Sequence, residues 1–195
     1  MTTVDAVLRG LAAWRIGGAR APLPDAALDP ETWDQLQREV TRQRMWGLLA
    51  AAIAAGDLPV RDDQGERSES RHRRAMETSL ELEAFAIRAI EVLRPQQVPV
   101  RLLKGLAVAH LDEDDPSLRC FNDVDILVPP ERFPHAISAL AAEGYRRDLP
   151  GRRPGFDQRF AKEATMTGVQ GRELDVHRTI ALGAFGLAVD LRDLW

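Results

Sequence analysis

Hydrophobic positions keep a helical rhythm through the first half of the chain and change to a strand-like one after Pro95. Val4, Val7, Leu8, Leu11 and Ala12 recur at the three-and-four spacing of an amphipathic helix over Val4–Trp14. Gly17, Gly18, Pro22 and Pro24 interrupt it. A second helix opens at Asp29-Pro30-Glu31, where proline suits the first turn. It runs through Trp33, Leu36, Val40, Met45 and Leu48-Leu49, in one or two pieces, and ends at Gly56-Asp57 and Pro59. The stretch Arg61–Arg74 holds nine charged residues in fourteen and reads as a solvated loop or helix face. Met76, Leu80, Leu82, Ala84, Phe85, Ile87, Ala89 and Val92 then form a wide apolar stripe, which Pro95 stops.

Beyond Pro95 the pattern predicts a short buried strand at Val98–Leu103, a Lys104-Gly105 turn and a helix from Leu106 to Leu111. An acidic loop, Asp112–Ser117, leads to a strand at Phe121–Val128, bounded by Pro129-Pro130. Glu131–Glu143 is a helix with Gly144 as its stop. Phe156–Thr167 and Arg172–Arg178 read as strands joined by a tight turn through Gly168 and Gly171. The predicted class is therefore α+β, with a helical N-terminal region at 1–94 and a mixed α and β region at 95–195.

Composition narrows the function classes. The chain has 195 residues, 45% hydrophobic and 29% charged, an ordinary globular balance. No apolar run approaches the ~20 residues of a membrane helix, and no secretory leader is visible. With a single cysteine, Cys120, neither a disulfide framework nor a Cys-rich zinc site is expected, which fits a reducing, cytoplasmic compartment. A net charge of −4 disfavours nucleic acid as the main partner. Of 26 basic residues only Lys104 and Lys162 are lysine.

The strongest chemical signal is Asn122-Asp123-Val124-Asp125-Ile126-Leu127-Val128. Alternate strand residues share a face, so Asp123 and Asp125 point one way and Val124 and Ile126 the other. Two carboxylates so placed repel, which is expected to raise the pKa of one of them in the metal-free protein. A divalent cation such as Mg²⁺ accepts such oxygens and keeps positions open for phosphate. The plain alternative is an edge strand with a solvated acidic face. Glu173-Leu174-Asp175-Val176-His177 alternates too, with Glu173, Asp175 and His177 on one face. Beside the first strand, Asp175 would complete a three-carboxylate cluster able to hold two metals about 3.5–4 Å apart for in-line displacement at phosphorus. Its own alternative is the polar outer face of a hairpin. The Lys104-Gly105 turn before a helix can offer backbone N–H groups and an ammonium to phosphate, though it is no Walker A loop. Arg119, four residues before Asp123, can contact phosphate oxygens or sit at the surface. Cys120 reads as a small buried residue, and His110 and His135 as helix residues.

These elements, Leu103-Lys104-Gly105, then Arg119-x-Phe121-Asn122-Asp123-Val124-Asp125-Ile126-Leu127-Val128, then Leu174-Asp175-Val176-His177, occur in an order that resembles the uncharacterised nucleotidyltransferase family of the DNA polymerase β-like superfamily. Thr32–Leu49, with Arg44-Met45 ahead of Gly47-Leu48-Leu49, is similar to that family's helical N-terminal region. The resemblance implies a polymerase β-like nucleotidyltransferase core, a small mixed sheet with helices. It implies transfer of a nucleoside monophosphate from a nucleoside triphosphate to an acceptor hydroxyl, with Mg²⁺ or Mn²⁺ and release of pyrophosphate. Asp123 and Asp125 match the metal-binding pair, Asp175 the third carboxylate and Gly105 the glycine of the phosphate-side turn. Lys104, Arg119 and His177 are then expected on the nucleotide. The turn continues as Gly105-Leu106 rather than Gly-Ser or Gly-Gly, so a serine–phosphate contact is not expected. Family members continue with further helices beyond the third carboxylate, whereas this sequence stops at Trp195. Three readings stay open: a piece of a longer protein, a site completed by a second copy or partner protein, or a binding or regulatory module that has lost transfer. A sugar transferase holding a metal–nucleotide-sugar through Asp-x-Asp would need several parallel strands upstream, where the chain reads helical.

Overall fold

The computed structural model describes residues 2–14, 22–149, 160–168, 171–181, 186, 190–191 and 194–195. The start of the expected 156–167 strand lies outside these residues. The chain forms two compact units, one of residues 1–79 with 109–121 and one of residues 80–108 with 122–195.

The first unit is helical. Helix α1, Thr3–Ala12, starts on a capping box in which Thr2 and Asp5 exchange side-chain and backbone hydrogen bonds of 2.9 and 3.2 Å. Helix α2, Pro30–Gln43, is capped by Asp29, whose carboxylate accepts from the N–H groups of Glu31 and Thr32. Arg44, left-handed at φ 59°, ends α2, and α3 follows at Trp46–Ala54, so the expected long helix is two pieces. Val7, Leu11, Trp33, Leu36, Val40 and Leu49 fill the core. Gly47 lets α3 touch the short 3-10 turn Pro116–Leu118, since a Cβ there would lie 2.4 Å from the Ser117 carbonyl oxygen. Cys120 is buried against this core, and burial pushes its thiol pKa up.

The charged stretch is not a loop. It opens the single helix α4, Asp62–Leu93. Within the second unit α4 buries Leu82, Phe85, Ala86, Ala89 and Leu93, a three-and-four-spaced face. Phe85 stacks on Tyr145 at 5.7 Å between ring centroids, and it closes on Gly168, where a Cβ would meet the Phe85 ring at 2.5 Å. The remaining elements are β1 (Arg101–Leu103), α5 (Lys104–Leu111), β2 (Val124–Leu127), α6 (Phe133–Ala142), β3 (Arg146–Arg147), β4 (Glu163–Thr167) and β5 (Glu173–His177). Helix α5 begins at Lys104 rather than Leu106, and β2 begins at Val124 because the chain bends at Asn122.

The strands form a mixed sheet in the order β1-β2-β5-β4-β3. Only the β2–β5 pair is parallel. Its register sets Val124 opposite Leu174, Asp125 opposite Asp175, Ile126 opposite Val176 and Leu127 opposite His177. One face of the sheet is therefore apolar: Val124, Ile126, Ala164, Met166, Leu174 and Val176 are all buried. Strand period then forces Asp125, Asp175, His177, Glu163 and Thr165 onto the other face. This is the small mixed sheet with helices of the predicted α+β class, with a helical region ahead of it.

Candidate functional site

The polar face of the sheet is built in rows. Register places Asp125, Asp175 and Thr165 side by side across β2, β5 and β4, and Leu127, His177 and Glu163 in the next row. Neither acidic strand is an edge, because β5 is the central strand and β2 lies inside β1. Asp125 is 1% exposed and so is His177. Glu173 stands exposed at the start of β5.

Buried ionisable groups need partners, and Asp125 has two. Lys104 Nζ donates to its Oδ1, and His177 Nε2 lies 2.7 Å from the same oxygen. Its other oxygen, Oδ2, is buried and hydrogen-bonded to nothing among the described residues. Burial alone would push the Asp125 carboxyl up. The hydrogen bonds and charges of His177 and Lys104 outweigh it and hold the carboxyl below its ordinary value. For Asp125 the shift is the opposite of the one that carboxylate repulsion alone would give. The His177 hydrogen bond lowers the pKa most, and a cation brought from β1's end adds to it: Lys104 follows Leu103, which pairs with Asp125 across the β1–β2 ladder. The lysine pays a desolvation cost, yet its own pKa is raised, through Asp125 first and then the charges of Glu163 and Asp123. Its side chain stays 53% exposed. Lys104, not Gly105, is the residue with left-handed backbone in this turn, at φ 50°, a conformation that costs a residue with a Cβ about 1 kcal/mol or more.

The second carboxylate, Asp175, accepts a 2.7 Å hydrogen bond from Thr165 Oγ1 through its Oδ1. His177 Nδ1 lies 2.9 Å from Glu163 Oε2. Both atoms are buried and, among the described residues, neither makes an aligned hydrogen bond, so this is a close contact between two polar atoms. Lys162 Nζ also reaches Glu163 Oε2, at 2.8 Å.

Among the described residues, Asp125, Asp175 and His177 offer ligand atoms that all lie within 4.8 Å of one another, spacing suited to a metal ion. The donor set and the orphaned Asp125 Oδ2 both fit a divalent cation. Asp123, just before β2, is outside that trio and acts on Lys104 through its charge. Lys104 and Gly105 adjoin the trio at the start of α5. Arg119 belongs to the first unit, with its Nε buried. Glu163 and Thr165 escaped the sequence reading. The signal was there in the β4–β5 hairpin: its turn, with Gly168 N–H on the Arg172 carbonyl at 2.9 Å and Gly171 at φ 72°, sets the register that pairs Thr165 with Asp175.

A family model described as an uncharacterised nucleotidyltransferase matches residues 29–195. No curated protein and no solved structure shows a significant match to the chain. No helix among the described residues is long and apolar enough to cross a membrane. With most of its length matched, the chain belongs to the uncharacterised nucleotidyltransferase family.

Proposed function

From membership of that family and the geometry above, we propose that the chain is a metal-dependent nucleotidyltransferase. It moves a nucleoside monophosphate from a nucleoside triphosphate to an acceptor hydroxyl and releases pyrophosphate. One observation carries the reading: Asp125 is a buried carboxylate, in register with Asp175, with one oxygen hydrogen-bonded to nothing among the described residues. Such an oxygen calls for a cation.

In this reading Asp123, Asp125 and Asp175 hold Mg²⁺ or Mn²⁺. When bound, the ion polarises the reacting phosphate and offsets its charge. The chain supplies the rest. Asp175 Oδ1 is engaged by Thr165, so Oδ2 takes the proton as the acceptor hydroxyl attacks the α-phosphorus. The new oxygen–phosphorus bond forms as the bond to the bridging oxygen breaks, and pyrophosphate carries away the electron pair. Lys104, half-exposed on a flexible stem, turns from Asp125 to the triphosphate, where its charge offsets that of the leaving pyrophosphate. Gly105 leaves room for phosphate beside the backbone, and the buried His177 stands beside Asp125 rather than at the surface that meets substrate. Arg119 enters through its place in the motif, four residues before Asp123.

A nucleotide-binding or regulatory module on the same fold is the second reading. It is favoured by the Lys104–Asp125 pair, which already gives Asp125 a cation.

The metal assignment is tested by replacing Asp123 and Asp125 together with asparagine. Mg²⁺–ATP and Mg²⁺–GTP titrations are expected to lose at least tenfold in affinity. The circular dichroism spectrum should stay that of the wild type, because asparagine still accepts from Lys104 and His177. Unchanged titrations would contradict the assignment.

A further inference from the structure

A proposal that deepens the reading above concerns which cation this site takes. The three groups with ligand atoms inside 4.8 Å are two carboxylates and an imidazole, not three carboxylates. We infer that His177 Nε2 is a direct metal ligand beside Asp125 and Asp175, that Glu163 is its positioning residue, and that the site therefore prefers a borderline transition-metal dication to Mg²⁺.

Three observations support this. First, His177 Nε2 lies 2.7 Å from Asp125 Oδ1. Neighbouring ligands of an octahedral ion with ~2.1 Å bonds stand about 3 Å apart, so a small opening of this pair suffices. Second, Asp125 is 1% exposed and its Oδ2 has no hydrogen-bond partner among the described residues. A buried carboxylate with a spare oxygen sits beside a buried imidazole. Third, the other ring nitrogen, Nδ1, lies 2.9 Å from Glu163 Oε2, and among the described residues neither atom has an aligned hydrogen bond. A metal-binding histidine needs its second nitrogen to carry the proton, and a carboxylate beside it fixes that tautomer and the ring's direction. β-strand register delivers the same pair, since Glu163 is the cross-strand neighbour of His177.

Imidazole nitrogen adds affinity along the series Mn²⁺, Fe²⁺, Co²⁺, Ni²⁺, whereas Mg²⁺ favours oxygen. Lys104 does not obstruct such an ion, because its half-exposed, flexible side chain can swing from Asp125 to solvent or phosphate.

The test uses the full chain without nucleotide, titrated with Co²⁺ and with Mg²⁺, together with pulsed EPR of the Mn²⁺-loaded protein. Co²⁺ is expected to bind at least tenfold more tightly than Mg²⁺, and the EPR spectrum should show coupling to one directly bound nitrogen. His177→Gln should remove that coupling and weaken Co²⁺ by tenfold or more, with Mg²⁺ changed no more than about threefold. Glu163→Gln should keep the nitrogen coupling and weaken Co²⁺ about tenfold. The wild-type spectrum needs no variant to fold. Cation binding without nitrogen coupling, or equal losses of Co²⁺ and Mg²⁺ in His177→Gln, would overturn the inference. If that happens while transfer with Mg²⁺ persists, the inference fails and the transferase reading stands. If no cation binds even with triphosphate present, both fail.

Discussion

Asp175→Asn is expected to lower nucleotidyl transfer by about three orders of magnitude or more, while Mg²⁺–nucleotide affinity stays within a few fold. Asparagine fills the same space and still accepts the Thr165 hydroxyl. It cannot take the acceptor's proton. The loss therefore falls mainly on the transition state, and a thousandfold loss corresponds to about 4 kcal/mol. Glu173→Gln should be much milder, because Glu173 is exposed at the start of β5 and pairs across the hairpin with Thr167 rather than with a site residue. Steady-state transfer rates beside nucleotide titrations separate the two variants. A dead Glu173→Gln with an active Asp175→Asn would place the catalytic carboxylate at the wrong residue.

The second large effect is on stability. Trp33 is fully buried at the centre of the first unit, among Val7, Leu11, Leu36 and Val40. Trp33→Ala should cost about 3–5 kcal/mol, through lost burial and the cavity left behind. For a protein whose total stability is of the order of 5–15 kcal/mol, that is a large share. The urea midpoint followed by far-ultraviolet circular dichroism should fall by about 1 M or more. Trp33→Phe should fall much less, since the indole N–H is buried without a hydrogen-bond partner among the described residues and its removal relieves a desolvated donor. Equal midpoints for the alanine variant and the wild type would mean that the tryptophan is not part of the core.

Long periodic elements were legible in the chain because packing and propensity agree there. The α1, α2 and α6 stretches carry their stripes and stops, down to Asp29-Pro30 and Gly144, whose φ of 89° marks the chain's left-handed exit. Arg61–Arg74 was ambiguous for a physical reason: a solvated helix face and a polar loop have the same composition. β3 is two arginines long and carries no alternation to read. The site was half legible. Asp125, Asp175 and His177, whose ligand atoms lie together, announce themselves by strand period within single segments, whereas Asp123 precedes β2. Their partners come from elsewhere in the chain: Lys104 lies twenty-one residues from Asp125, and Glu163 reaches His177 only through hairpin register. The lowered Asp125 pKa was hidden for the same cause, because spacing along one strand says nothing about an imidazole and a cation delivered by others.

The central claim is transfer that depends on a metal and on Asp125. The most direct test incubates the protein with each of the four α-labelled nucleoside triphosphates and Mg²⁺ or Mn²⁺, with and without cell extract, beside the Asp125→Asn variant. The account predicts release of pyrophosphate and label moved onto an acceptor by the wild type, abolished by a chelator and lowered at least a thousandfold in the variant. Equal label transfer by wild type and variant, or none by the wild type with any triphosphate and either metal, would contradict it.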